Sequence, residues 1–574
     1  MTSFSRRTSE ILLLLMLAIV CYGGTLKHPF IFDDLGGIVE NPAIRAVWPL
    51  WAPAGSPPDT TPFGRPITAL TLAFNYLLGG LSPFGYHLLN IILHAGAACA
   101  VLNLATILVL SGEKSTAWIP KQFPFAVASI WLVHPLCTSA VTYIVQRAEV
   151  LMVLCYLGTL ICAAKYCRST KPESLRFWIW AIAVSSVGMM CKESMVTAPV
   201  AALLMDRAFF SPTWSEIWAR RKAFYISLAS TWLVLAVCMI IWPRSNSVGF
   251  RETSLGSMQY LLMQMQVIPH YLWLVVSPVG LSLDYAWPRV SSLLSVLPQL
   301  FLLTGMGTAI LVLWFRQPWL AWLVAMPFLV LVPTSSVVPV ITAIASEHRM
   351  YLPTAFLVAL ACLLVAAVVE KVPDRLRIKQ SAFDLFTIAT VVLLAHISIQ
   401  RNTVYATAES IWRDVLVKQP NNARALNNLG FAVWREGRVI EAEGFFARSL
   451  EKEAKNADAL YNLGTLYGQR GETEKAIEFL ARAIKIWPDY AAAYANLGVV
   501  YFLRGETQKG FEAYQSALRY RPEHVVANFN MAVIRFQRGE LSEAEKHIRI
   551  VVARQPGYPK ARELFDEIRR LQQK

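Results

Sequence analysis

Leu460-Tyr461-Asn462-Leu463-Gly464 returns 34 residues later as Tyr494-Ala495-Asn496-Leu497-Gly498. The glycine of that phrase has an upstream counterpart in Gly430, and Ala532 fills the next slot downstream. Parallel series at the same spacing run Gly437, Gly471, Gly505, Gly539 and Ala442, Ala476, Gly510, Ala544. A fourth runs Pro488, Pro522, Pro556, with Ala454 one step before. Small residues let two antiparallel helices approach, and a closing proline ends the second helix. The C-terminal third therefore reads as a stack of helical hairpins.

Period 34 with these offsets is the tetratricopeptide (TPR) pattern. Four repeats fit 423–558, and a polar helix over 559–574, from Lys560 to Gln573, would cap the stack. A half-repeat, Ala408 to Pro420, falls within a linker drawn at 401–422. Such a solenoid offers a concave face to a protein or peptide partner and says nothing about chemistry.

Upstream the composition changes. Residues 401–574 carry about 28% charged residues, close to the ~25% of a soluble domain, whereas 1–400 carry about 11%. The whole chain is 55% hydrophobic with a mean hydropathy of +0.43. A cytosolic enzyme and a disordered chain are excluded. So is a disulfide scaffold, because all nine cysteines lie in or beside apolar runs without metal-ligand spacing. Residues 1–400 read as a polytopic membrane domain, and the fold class is all-α: a helical bundle followed by a TPR solenoid.

Spans of ~20 apolar residues fall at 11–26, 85–110, 123–143, 148–165, 176–192, 194–210, 223–243, 296–315, 318–334, 350–369 and 382–399, about eleven in all. Ser5-Arg6-Arg7 places the amino terminus in the cytoplasm. Inside loops then hold Lys165/Arg168/Lys171/Arg176, Arg207/Arg220/Arg221/Lys222 and Lys371/Arg375/Arg377/Lys379. Outside connections near 144–148, 191–194 and 335–349 hold one basic residue each, as the positive-inside bias requires. Two further apolar stretches, 66–81 and 257–278, would raise the count to thirteen and invert the middle of the protein. They are read as amphipathic or re-entrant pieces outside, and the odd count puts the TPRs outside.

The external loop 27–84 contains Asp33-Asp34 just beyond the first span. Adjacent carboxylates there can serve as a general base or bind metal. On composition alone the commoner reading is a solvated turn whose Asp caps the next helix. Neighbouring features shift the balance toward a site. Arg65 opens the 66–81 segment, and His87, Asn90 and His94 share one helix face. His134, Arg147 and Glu149, Lys192-Glu193, and Glu347-His348-Arg349 all fall at external span ends. Ionisable groups there usually line a polar cavity. Planar arginine donors suit a phosphate, so the set fits transfer from a lipid-phosphate donor.

The ordered series Phe32-Asp33-Asp34, Asn41-Pro42-x-Ile44, Arg65-Pro66, Gly85-Tyr86-His87-x-x-Asn90, His134-Pro135, Arg147-x-Glu149, Lys192-Glu193 and Arg349-x-Tyr351-Leu352-Pro353, ahead of TPRs, resembles the transmembrane-and-TPR protein O-mannosyltransferases and their bacterial relatives. These are GT-C glycosyltransferases. The resemblance implies a polyprenyl-phosphate-linked sugar as donor substrate and an active site on the periplasmic or luminal face. It implies Asp33 as base with Asp34 supporting it, and Arg349 as donor-phosphate contact, here flanked by His348 and Met350 in place of the family's commoner residues. Arg65, His87, Arg147, Lys192, Glu193 and His348 complete the expected substrate-binding set. No cofactor is indicated, a divalent metal is left open, and no nucleic acid is expected. The expected location is a bacterial inner membrane, with the endoplasmic reticulum as the eukaryotic equivalent. A non-enzymatic TPR scaffold for envelope assembly and a lipid-linked oligosaccharide ligase are the competing readings.

Overall fold

A computed structural model describes residues 3–58, 60–111, 118–169, 174–243, 256–290, 292–336, 338–340, 343–373, 379–555 and 557–573. Lys171, Arg375, Arg377 and Pro556 lie outside them. The chain forms two compact units, Met1–Ile411 and Trp412–Lys574.

The first unit begins with α1 (Ser3–Tyr22), the short α2 (Pro66–Gly79) and the long α3 (Pro83–Ser111). Next come α4 (Phe123–Leu132), the one-turn α5 (Thr138–Val141) and α6 (Arg147–Arg168). Then α7 (Ser174–Met189), α8 (Ala198–Phe209), α9 (Trp214–Ala229) and α10 (Thr231–Ile241) follow. The remainder is α11 (Ser257–Val276), α12 (Leu297–Arg316), α13 (Pro318–Leu331), α14 (Tyr351–Glu370) and α15 (Lys379–Val404). Helix α6 carries Glu149 in its first turn and Lys165 and Arg168 in its last, complementing its dipole. Small residues let helices meet: a Cβ on Gly188 would come within 2.8 Å of Cys155 Cβ and 2.7 Å of Met195 Sδ. The nine cysteines are free and buried or half-buried.

Among the described residues seven helices are long and apolar enough to cross a bilayer. The pair Phe123–Leu132 and Pro135–Val141, bent by 54°, is either an eighth, broken span or a re-entrant loop. Three expected spans come out short. Those at 176–192, 194–210 and 318–334 are α7, α8 and α13, of 16, 12 and 14 residues, against the ~20 a straight crossing needs. Their helices stop where polar residues or Pro333 enter: α7 ends before Lys192-Glu193, and α8 begins after them. At the end opposite Asp33, Arg221 Nη1 donates to Asp206 Oδ1 (2.8 Å) and Arg221 Nη2 to the Cys167 carbonyl (2.9 Å), joining the last turns of α8 and α6. Arg7 Nη2 reaches Asn103 there (2.8 Å), and Trp214 stacks on Trp314.

The 66–81 segment is α2, 14 residues long. The 257–278 segment is α11, interrupted by Pro269 and absent from the seven long spans.

In the second unit, α16 (Ala408–Lys418), which begins just ahead of it, precedes four hairpins. These are α17 (Ala423–Arg435) with α18 (Val439–Lys452) and α19 (Ala457–Gln469) with α20 (Thr473–Ile486). The other two are α21 (Ala491–Leu503) with α22 (Thr507–Tyr520) and α23 (Val525–Gln537) with α24 (Leu541–Arg554). A final helix, α25 (Ala561–Gln572), packs on α24. The two glycine series play different parts. Gly437, Gly471, Gly505 and Gly539 take φ of +76° to +85° in the hairpin turns. At Gly430, Gly464 and Gly498 a Cβ would come within 2.8, 2.7 and 2.6 Å of Phe446, Leu480 and Tyr514.

Candidate functional site

The loop after α1 turns sharply at Phe32, whose φ of +46° is unusual for a bulky residue. The turn separates the two acids. Asp34 is buried, and its carboxylate accepts from Ile31 N (3.2 Å) and Val145 N (2.9 Å). Burial pushes its carboxyl up to about 8 despite those two bonds. Asp33 is exposed, held at its backbone by an N–H donated to Tyr143 Oη (2.9 Å). Asp34 thus anchors the loop to the chain just ahead of α6, and Asp33 is presented to solvent.

The first turn of α6 is the hub. Arg147 is fully buried and donates to Asn90 Oδ1 (2.7 Å), Thr71 O (3.2 Å) and Tyr86 O (2.9 Å). It ties α2, α3 and α6 together and lies within electrostatic reach of Asp34. Two residues on, Glu149 forms a buried ion pair with Lys192 and also feels the charge of Arg349. Arg65 pairs with Glu193 (3.0 Å), and Thr68 Oγ1 donates to Cys191 O (3.2 Å), docking α2 against the α7–α8 turn.

Arg349 Nη1 donates to Tyr260 Oη (3.3 Å), Thr334 O (3.1 Å) and Ile344 O (3.1 Å), and Nη2 to Ala343 O. The charges of Lys192, Arg65 and Arg349 all bear on His348. His87 Nε2 donates to His28 O (3.1 Å), which fixes its tautomer. His94 bonds Tyr351 Oη (2.6 Å) and Leu132 O (2.9 Å) deeper in the bundle, against Trp131.

All nine expected residues therefore sit at one end of the bundle, joined through α6. The acids and Arg147 form one group, and the cations around His348 form another. Several of these side chains are largely spent on internal bonds, Arg147 most of all. Tyrosines 143, 260 and 271 were invisible in the apolar runs that carry them, yet Tyr271 Oη accepts from Ser346 N (2.6 Å) and positions the Arg349 turn. A second hidden feature is a buried pair, Arg401 with Glu347 (3.7 Å), joined by Tyr285 Oη donating to Glu347 Oε1 (2.9 Å). Arg401 lies in the stretch read as linker, and only its position after an apolar run could have flagged it. Among the described residues no three His, Cys, Asp or Glu side chains group so as to hold a metal ion.

The tetratricopeptide repeat family models match residues 421–489, 455–523 and 508–559. The chain is 24% identical over 495 residues to the Mus musculus protein O-mannosyl-transferase TMTC3, covering 77% of this chain and 50% of that one. It is 24% identical over 528 residues to the Drosophila melanogaster protein O-mannosyl-transferase Tmtc3, covering 77% and 55%. A 198-residue match to the Homo sapiens protein O-mannosyl-transferase TMTC4 reaches 31% identity, over 31% and 27%. The chain spans about half the length of these first two relatives. With an apolar helical core ahead of tetratricopeptide repeats, it is an integral membrane protein related to the protein O-mannosyl-transferases.

Proposed function

We propose that this protein is a membrane glycosyltransferase that moves a sugar from a polyprenyl-phosphate carrier to a hydroxyl on a protein. The carrying observation is the placement of exposed Asp33 at the same bundle end as the cations around His348. Asp33 takes the proton of a serine or threonine hydroxyl. That oxygen forms a bond to the sugar's anomeric carbon while the carbon–oxygen bond to phosphate breaks. Polyprenyl phosphate leaves, its charge steadied by Arg349, Lys192 and Arg65. Asp34 and Arg147 hold the loop and helix ends in place, and His87 supports the loop from α3.

The names of the relatives support a protein acceptor. The loop-charge asymmetry supports placing this end outside, in a bacterial inner membrane or facing a lumen. The TPRs would then bind the acceptor or a partner on that side. The test is a purified, reconstituted reaction with a polyprenyl-phosphate hexose and envelope protein, with products weighed by mass spectrometry. A gain of one hexose on protein is expected. A gain of a whole glycan identifies the oligosaccharide ligase instead, and no gain at all leaves a TPR scaffold.

A further inference from the structure

Both ends of α2 are tied to the Asp33 end of the bundle. At its start Arg65 pairs with Glu193 (3.0 Å) and Thr68 Oγ1 donates to Cys191 O (3.2 Å). At its far end Asn75 Nδ2 donates to Gly85 O (3.0 Å), and Tyr86 Oη, in the first turn of α3, donates to Gly80 O (3.0 Å). The Tyr86 carbonyl in turn accepts from Arg147 (2.9 Å). Fourteen residues at 1.5 Å each give about 21 Å, short of the ~30 Å of bilayer hydrocarbon. Held at both ends in this way, α2 lies along one end of the bundle and does not cross it.

One side of α2 is buried through Thr68, Ala69, Leu72 and Ala73. On the other, Phe74, Leu77 and Leu78 are exposed, Leu78 by 82%, and their spacing of three and four places them on one face. Leu81 in the turn is exposed too. So are Phe84, Leu88 and Ile92, at steps of four along α3, which is long and apolar enough to cross a bilayer. From Pro66 to Tyr86 the chain has no Asp, Glu, Lys or Arg, so no charge holds this face in water. The turns Pro42–Arg45 and Ala52–Gly55 pack on α2, and exposed Trp48 and Trp51 stand between them in the chain. Tryptophan collects at the headgroup level of membranes. We infer that α2 is an interfacial helix whose Phe74–Leu78 face is sunk among the upper acyl chains of the leaflet at the Asp33 end. Arg65 opens this helix and Thr71 O accepts from Arg147 (3.2 Å), so contact with lipid sets the height of the candidate site relative to the headgroups.

The test uses the full chain in phosphatidylcholine vesicles containing one of two photoreactive phosphatidylcholines. One carries a diazirine near the carbonyl end of its acyl chain, the other at the methyl end. Labelled peptides are quantified by mass spectrometry against α12, none of whose side chains is buried. Relative to α12, the carbonyl-end probe should label residues 74–81 about fivefold more than the methyl-end probe, as a helix ~5–10 Å deep requires. Equal relative labelling by the two probes sets the segment in the bilayer core, and no label from either leaves this face to a protein partner. Either result overturns the inference. In Leu77→Glu with Leu78→Glu the carbonyl-end label on 74–81 should fall while α12 is labelled as before, and an unchanged label also overturns it. Where that double variant fails to fold, the comparison of the two probes on the wild-type chain decides alone. Labelling reads contact with lipid and not sugar transfer, so it stands or falls separately from the proposed reaction.

Discussion

Asp33 and Asp34 are neighbours in sequence and opposites in environment, and the turn at Phe32 makes the difference. The buried Asp34 carboxyl has its ordinary value of 3.8 raised to about 8, so folding favours its neutral form. That advantage is complete below about 4, declines as pH rises toward about 8, and is gone above it. The melting temperature should therefore fall across that window, and Asp34→Asn should flatten the fall; an unchanged slope contradicts the burial account. Lys192 offers a second case. Lys192→Met strands the Glu149 charge and should cost about 3–5 kcal/mol, most of it recovered in Lys192→Met with Glu149→Leu. Thermal melts of the single and double variants measure this.

At the scale of the element, the repeats were legible almost residue by residue because each helix packs against its sequence neighbour. The period announced the close-approach glycines, whereas the left-handed turn role of Gly437, Gly471, Gly505 and Gly539 was visible only in the structure. Gly498→Ala should destabilise the repeat unit by about 1–3 kcal/mol through overpacking on Tyr514, read as a lower melting temperature. Gly505→Ala, in open space but at φ +85°, should cost about 1–2 kcal/mol through backbone strain alone. The membrane helices were legible as apolar runs but not in length. Helices α7, α8 and α13 are cut short where polar residues enter, and hydropathy windows smooth over such breaks. Tyr143, Tyr271 and Arg401 escaped notice for a related reason. Their partners stand on helices distant in the chain, a relation no local pattern encodes.

For the whole molecule, the eleven spans expected from the apolar runs meet a structure in which, among the described residues, seven helices are long enough by themselves, eight with the bent pair. The exposed side chains Trp51 and Trp218 belong to opposite ends. With a membrane-impermeant thiol reagent applied from outside, Trp51→Cys should label and Trp218→Cys should not. Labelling of both from one side contradicts the alternation. The same alternation gathers acids from the first loop and cations from positions hundreds of residues later, which is the premise of the proposed reaction. Its most direct test is Asp33→Asn in the reconstituted transfer assay. The account predicts loss of sugar transfer with an unchanged melting temperature and unchanged expression. Transfer at the wild-type rate would contradict it.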